Sequence, residues 1–459
     1  MTTRGQSDPN EGSPEPRPSG EAAKPSPREV LSTGASEQKE SPGQNERLME
    51  QVAEPANLNA AWKRVRGNGG APGIDGITVE AFLAHAKPRA EALRRELLEG
   101  SYRPSPLRRV EIPKSSGSGK RKLSIPTVQD RVVQQAILQV VQPILDPSFS
   151  EHSYGFRPGR SAHQAVATAQ AYIQQGYDWV VDLDLEAFFD RVNHDRFMSR
   201  LGQRIADKRM RWIIRRFLQA GVLEEGLLQP TTEGTPQGGP LSPVLSNLVL
   251  DELDKELERR GLRFVRYADD ANVYLRSERA ATNAFENVIG FVEGTLKLKV
   301  NRAKSAVARP WERKFLGFSF TGSKDTKRRV APKALAKAKA HIRKLTRKGR
   351  ANFEAIMAAL RRYLTGWLGY FRFCQTPSVL SALAQWTRRR LRCLIWKQWK
   401  SGATRFTELV KRGAPRELAA KLAGSSDGPW HLSLTPLLSQ IFPVAWFAAH
   451  GLPSFHACS

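Results

Sequence analysis

Two apolar segments in the middle of the chain carry acids that an ordinary buried strand would not tolerate, and they constrain the fold more than any other feature. Across residues 179–185 the pattern alternates: Trp179, Val181, Leu183 and Leu185 share one face, and Val180, Asp182 and Asp184 share the other. Across residues 263–275 the run Phe264-Val265-Arg266-Tyr267 is cut by Ala268-Asp269-Asp270 and resumes at Val273-Tyr274-Leu275. Two strands joined by a tight turn that presents both aspartates satisfy this second pattern. Adjacent acids at a turn are ordinarily solvated charges. Acids set between apolar strands, with more carboxylates on another strand, suit Mg2+ instead, which takes oxygen ligands, keeps water and accepts phosphates. Two such ions would activate an attacking hydroxyl and stabilise the leaving oxygen of an in-line displacement.

The flanking patterns extend this picture to an α+β fold with an antiparallel sheet. A helix is expected over residues 79–99, stopped by Gly100, and a strand pair over 108–126 around a turn at 115–119. Thr127 should cap a helix that Pro143 kinks or ends, and further helices are expected around 195–201 and over 240–260. The glycine-dense loop at 67–76 has no GK[ST], so an ordinary P-loop is excluded. From Pro332 to about residue 400 the periodicity is helical, with Tyr363, Trp367, Tyr370, Phe371, Phe373, Trp386, Trp396 and Trp399 among arginines. Most of these rings are expected to be buried.

Charge indicates the partner. The 459 residues carry 72 Lys and Arg against 45 Asp and Glu, a net +27, which points first to nucleic acid and second to an anionic membrane. No apolar run approaches the ~20 residues of a spanning helix, so no membrane association is expected. The polar N-terminus lacks the apolar core of a secretory signal. Cys374, Cys393 and Cys458 form no CxxC pair, which excludes a disulfide scaffold and a cysteine zinc site and suits a reducing cytoplasm. Residues 1 to about 44 are rich in Pro, Gly, Ser, Glu and Gln and read as a disordered tail. A boundary is placed near 320–330, where twelve Lys or Arg face one acid between Lys324 and Arg350.

The sequence resembles the group II intron-encoded reverse transcriptases. Tyr267-Ala268-Asp269-Asp270 is similar to their signature box, and Asp182-Leu-Asp-Leu-Glu-Ala-Phe-Phe-Asp190 to their first palm motif. Pro236-Gln-Gly-Gly-Pro-Leu-Ser-Pro243 with Asn247 resembles the second. Lys299-Val-Asn-Arg-Ala-Lys-Ser305 and Phe315-Leu-Gly-Phe318 resemble the later palm and primer-grip motifs. Lys120-Arg-Lys-Leu-Ser-Ile-Pro-Thr127 and Tyr154-Gly-Phe-Arg-Pro-Gly-Arg160 resemble the fingers blocks. Together they cover residues 58 to 320 in family order.

The resemblance implies a right-hand polymerase, with fingers and palm over 46–320, a helical thumb and maturase domain over 321–403 and an extension over 404–459. It implies that Asp184, Asp269 and Asp270 hold two Mg2+ ions, or Mn2+ in their place. Asp182 faces the same side as Asp184 and is read as orienting a neighbour. Lys120 and Arg121 would hold the triphosphate, Gln237 would pack on the incoming nucleotide with Gly238 and Gly239 allowing close approach, and Phe189 would exclude a 2′-hydroxyl while Phe188 fills the core. Lys304 would be the general acid toward pyrophosphate, with an ordinary phosphate contact as the alternative. Phe315, Leu316, Gly317 and Phe318 would seat the primer 3′ end. The implied partners are intron RNA, a DNA primer or target and dNTPs, and the implied setting is the bacterial cytoplasm. His431, His450 and His456 are isolated, and nothing after Trp430 supplies a paired-cysteine HNH nuclease, so target nicking is not expected of this chain. Two other readings remain: a splicing cofactor with a vestigial polymerase site, and a reverse transcriptase of a retron or diversity-generating system.

Overall fold

A computed structural model describes residues 46–113, 120–224, 227–229, 234, 238–347 and 352–455. The N-terminal stretch expected to be disordered, the turn at 115–119 and Gln237 lie outside the described residues, as does the side chain of Arg121.

Ten strands are described: β1 (Leu107–Pro113), β2 (Lys120–Ile125), β3 (Trp179–Leu183), β4 (Val222–Glu224), β5 (Leu227–Gln229), β6 (Arg263–Tyr267), β7 (Asp270–Leu275), β8 (Ala306–Ala308), β9 (Phe318–Phe320) and β10 (Arg328–Val330). Strands β6-β7-β3-β8 form an antiparallel sheet, and β2-β1-β4-β5 form a second sheet in which β1 and β4 run parallel. β9 and β10 form a hairpin across the expected 320–330 boundary.

The alternation of β3 separates two cores. Val181 and Leu183 join Phe264, Val273, Leu245 and Leu248 in one apolar cluster, beneath the helices Ser242–Arg259 and Val128–Leu145. Val180 turns the other way, with Val265 and Tyr274, onto the helix Ala162–Gln174 and into a second cluster that includes Phe318, Leu364 and Phe447. Asp182, at period two from Val180, therefore points toward the second side.

Local signals account for several helix ends. Thr127 caps Val128–Leu145 by accepting from the Asp130 N–H at 3.1 Å. Pro143 sits two residues before the end of that helix, where the chain stays helical. The helix expected over 79–99 is broken into Phe82–Ala86, a 3-10 turn Lys87–Arg89, and Ala90–Glu99. Pro88 causes the break, because its ring crowds the preceding turn and it has no N–H to donate. Gly100 ends the second piece at φ +71°. C-terminally, Pro332–Leu345, Phe353–Phe371 and Pro377–Gln398 are helical as expected.

The aromatic residues there depart from expectation. Phe371, Trp396 and Trp399 are buried, whereas Tyr363, Trp367, Tyr370, Phe373 and Trp386 are only half-buried. Cations cover several of these rings in place of other apolar side chains: Arg328 lies 3.9 Å over Phe373, and Arg343, Arg390 and Lys339 surround Trp386. Among the described residues no helix is long and apolar enough to cross a membrane.

Candidate active site

The acidic turn joins β6 to β7. Tyr267 pairs with Asp270, leaving Ala268 and Asp269 at the tip, and Ala268 adopts φ +57°, an uncommon conformation for a residue with a Cβ. Contacts from below hold it there. Arg266 donates from Nε and Nη2 to Asp254 at 2.7 and 2.5 Å, and from Nη1 to Asn247 Oδ1 and the Ala268 carbonyl, both at 2.9 Å. Asn247 in turn donates to the Gly155 carbonyl at 2.8 Å. A Cβ at Gly155 would fall 2.2 Å from the Ala268 nitrogen, so only glycine permits this approach. Arg266 and Asp254 are 1% and 0% exposed. Burial pushes the Asp254 carboxyl upward against the pull of Arg266.

Asp184 lies one residue beyond β3 rather than within it. Its N–H donates to Ser305 Oγ at 2.9 Å, and its carbonyl accepts from the Asn301 N–H at 2.8 Å, so the segment 301–305 closes against it. Lys304 Nζ then stands 3.6 Å from Asp184 Oδ2. Asp182 accepts from Arg313 Nε and Nη2 at 2.9 and 2.7 Å. Asp182, Asp184, Asp270, Lys304, Phe315 and Leu316 line one cleft of about 640 Å³.

Four carboxylates act on one another here. The Asp270 side chain borders open cleft, yet the surrounding protein dehydrates it, and Asp269, Asp182 and Asp184 add like charge, raising it to about 6 against a smaller opposing pull from Lys314. Burial likewise raises Asp182, with Arg313 opposing. Asp184 and Asp270 thus share the cleft with Asp182, while Asp269 lies exposed at the tip of the turn. Among the described residues no three His, Cys, Asp or Glu side chains converge closely enough to form a complete metal cage. Asp184 is drawn to Lys304 and Asp182 to Arg313. The hard oxygen donors still suit Mg2+, which ordinarily takes one or two carboxylates and fills its octahedron with water and substrate phosphate.

The remaining candidates are dispersed. Phe315 and Phe318 exchange backbone hydrogen bonds at 2.8 and 2.9 Å around Leu316 (φ +50°) and Gly317 (φ +82°), a tight two-residue turn. Tyr370 donates its hydroxyl to the Leu316 carbonyl at 2.7 Å, which seats the turn on the helix Phe353–Phe371. Phe188 is buried and Phe189 half-buried, edge-on to it at 5.2 Å. Lys120 is exposed on β2, paired with Glu111 at 2.7 Å. Neither Phe189 nor Lys120 lines the cleft. Gly238 and Gly239 lie against Ser124 and Gln134, where a side chain would collide.

The Arg266–Asp254 pair and Arg313 escaped sequence reasoning. The available signals were an arginine inside the apolar strand Phe264-Val265-Arg266 and an acid on the helical face shared by Leu250, Leu253 and Leu257.

Comparison with known proteins matches this arrangement. Residues 112–320 match the reverse transcriptase (RNA-dependent DNA polymerase) family, and residues 335–413 match the group II intron maturase-specific domain. Protein YkfC of Escherichia coli (strain K12) is 33% identical over 324 residues, covering 62% of this chain and 84% of that protein. The group II intron-encoded protein LtrA of Lactococcus lactis subsp. cremoris is 35% identical over 220 residues, 48% of this chain and 36% of LtrA. The putative COX1/OXI3 intron 2 protein of Saccharomyces cerevisiae is 32% identical over 219 residues, 47% of this chain and 25% of that protein. With reverse transcriptase and maturase segments in succession, and the acidic hairpin inside the first, the chain belongs to the group II intron-encoded reverse transcriptase and maturase family.

Proposed function

We propose that this chain copies RNA into DNA from dNTPs with Mg2+, and that its basic helical region binds the intron RNA to assist splicing and mobility. The observation that carries this reading is that Asp184, just past β3, and Asp270, at the start of β7, line one cleft with Lys304 and with Phe315 and Leu316 of the candidate primer grip. Bound at Asp184, Asp269 and Asp270, Mg2+ would supply a polarised primer hydroxyl and neutralise phosphoryl charge. Lys304 would act as the general acid toward the leaving pyrophosphate. The Phe315–Phe318 turn orients the primer 3′ end, and Phe189 excludes ribose at the sugar. Lys120 and Arg121 hold the triphosphate, and Gln237 packs on the incoming nucleotide.

Residues 46–320 are assigned to fingers and palm, 321–403 to the thumb and maturase region and 404–459 to its extension, with 1–45 as a tail. The cationic side chains over half-buried rings support RNA binding, since clustered Lys and Arg gain affinity by releasing counterions. The bacterial cytoplasm is the proposed setting. Extension of a DNA primer on an RNA template tests the reading. Wild type should extend, and Asp184→Asn should bind the duplex equally but extend at least about 10³-fold more slowly, some 4 kcal/mol of barrier. Extension by Asp184→Asn at the wild-type rate would refute it.

A further inference from the structure

We propose that Arg313 is a positioning residue that clamps the Lys304 segment onto β3 and so delivers the Lys304 ammonium to Asp184. The inference rests on the polymerase reading above and adds a residue that no sequence motif marked.

The clamp is one guanidinium with two destinations. Its Nε and Nη2 donate to Asp182 Oδ2 at 2.9 and 2.7 Å, and Nη2 also donates to the Lys304 carbonyl at 2.8 Å. Asp182 is fixed from its other side. It pairs across the sheet with Asn272, whose side-chain amide, once assigned in the orientation that satisfies both its donor and its acceptor, donates to Asp182 Oδ1 at 3.1 Å. Hydrogen bonds therefore link Asp182 of β3 through Arg313 to the Lys304 backbone, and with that assignment of Asn272 they extend to β7.

Lys304 needs such an anchor. Its side chain is 65% exposed and its contact with Asp184 is 3.6 Å, so side-chain packing alone does not fix the ammonium. A long flexible side chain is placed by its backbone. The Asn301 carbonyl, which accepts from the Lys304 and Ser305 N–H groups at 3.1 and 2.9 Å, shapes the turn from within, and Arg313 ties that turn to the sheet. A guanidinium fork can serve a carboxylate and a carbonyl together in fixed geometry, whereas a lysine at 313 would offer charge without the fork. Misplacement of about 1 Å at a reacting centre costs on the order of 10²-fold in rate.

Single-turnover incorporation on an RNA-templated DNA primer tests the clamp with wild type, Lys304→Ala, Arg313→Gln, Arg313→Lys and the double variant Lys304→Ala/Arg313→Gln. Arg313→Gln should slow the maximal rate by about tenfold or more. The dNTP concentration for half-maximal rate and the duplex affinity should stay within about twofold, because a residue acting through Lys304 leaves ground-state binding alone. Arg313→Lys should not restore the rate. The double variant should be no slower than Lys304→Ala, since one interaction cannot be lost twice. Asp182→Asn, which keeps the side-chain shape, should reproduce the Arg313→Gln defect and covers the case in which Arg313→Gln folds poorly. Losses that multiply in the double variant would overturn the clamp, as would a defect confined to dNTP or duplex binding, or a silent Lys304→Ala. Extension by Asp184→Asn at the wild-type rate would indict the polymerase reading instead.

Discussion

Beneath and above the Ala268-Asp269 turn, the protein treats its carboxylates in opposite ways. Below, Asp254 meets Arg266 in full burial, and the guanidinium spends its remaining reach on Asn247 and the Ala268 carbonyl. Above, dehydration by the surrounding protein, with like charge from Asp269, Asp182 and Asp184, lifts Asp270 to about 6, and Lys304 and Arg313 pair with its neighbours Asp184 and Asp182. The lower set is balanced within the protein and holds the turn in shape. The upper set crowds carboxylates, Asp182, Asp184 and Asp270, at a cleft that Lys304, Arg313 and Lys314 also line, so hard oxygen donors face open space there.

The contrast breaks most sharply by mutation on each side. Asp270→Asn should reduce primer extension by about 10³-fold or more while leaving the thermal midpoint unchanged or slightly higher, since it removes like-charge repulsion. Parallel extension and melting measurements check this. Arg266→Met should do the reverse kind of damage, destabilising the fold by about 3–5 kcal/mol because Asp254 is left buried without its partner. Urea denaturation should show that loss, and Arg266→Met/Asp254→Leu should recover most of it. Recovery of stability without recovery of extension would show that the pair also shapes the turn.

That division was only half legible from sequence. Alternation at Val180, Asp182 and Asp184 gave away the acidic side, because period-two patterning survives in any half-buried strand. The strand nevertheless stops at Leu183, and what holds Asp184 is Ser305 and Asn301, more than a hundred residues onward. Partners of that kind are set by tertiary packing and leave no local pattern. The same holds for Arg266 with Asp254, and for Arg313 with Asp182. Phe188 and Phe189 look alike in sequence, and the positive φ at Ala187 helps set the turn that carries them. At residues 79–99 the expected continuous helix left Pro88 out of account, and the proline lies in the 3-10 turn that divides it.

Acid should sharpen the comparison. Folding raises Asp270 from its ordinary 3.8 to about 6, so the group favours the folded state fully below pH about 4, and that contribution is lost as pH rises through about 6. Catalysis should move the other way. Below pH about 6 a proton competes with the cation for the carboxylate, and at subsaturating Mg2+ the rate should fall about tenfold per pH unit. Raising Mg2+ should shift the acid limb of the pH–rate profile to lower pH. A smaller effect is expected at Phe189→Val, which should narrow the preference for dNTPs over rNTPs by on the order of tenfold, the scale of one lost steric clash. Competitive incorporation of the two nucleotides measures it.

The central proposal is that Asp184, Asp269 and Asp270 jointly hold the catalytic cation. Electron paramagnetic resonance titration of Mn2+ into the chain with an RNA–DNA primer duplex and a dNTP tests it most directly. Tight Mn2+ binding is expected in wild type and should be lost in both Asp184→Ala and Asp270→Ala. Undiminished binding in both variants would contradict it.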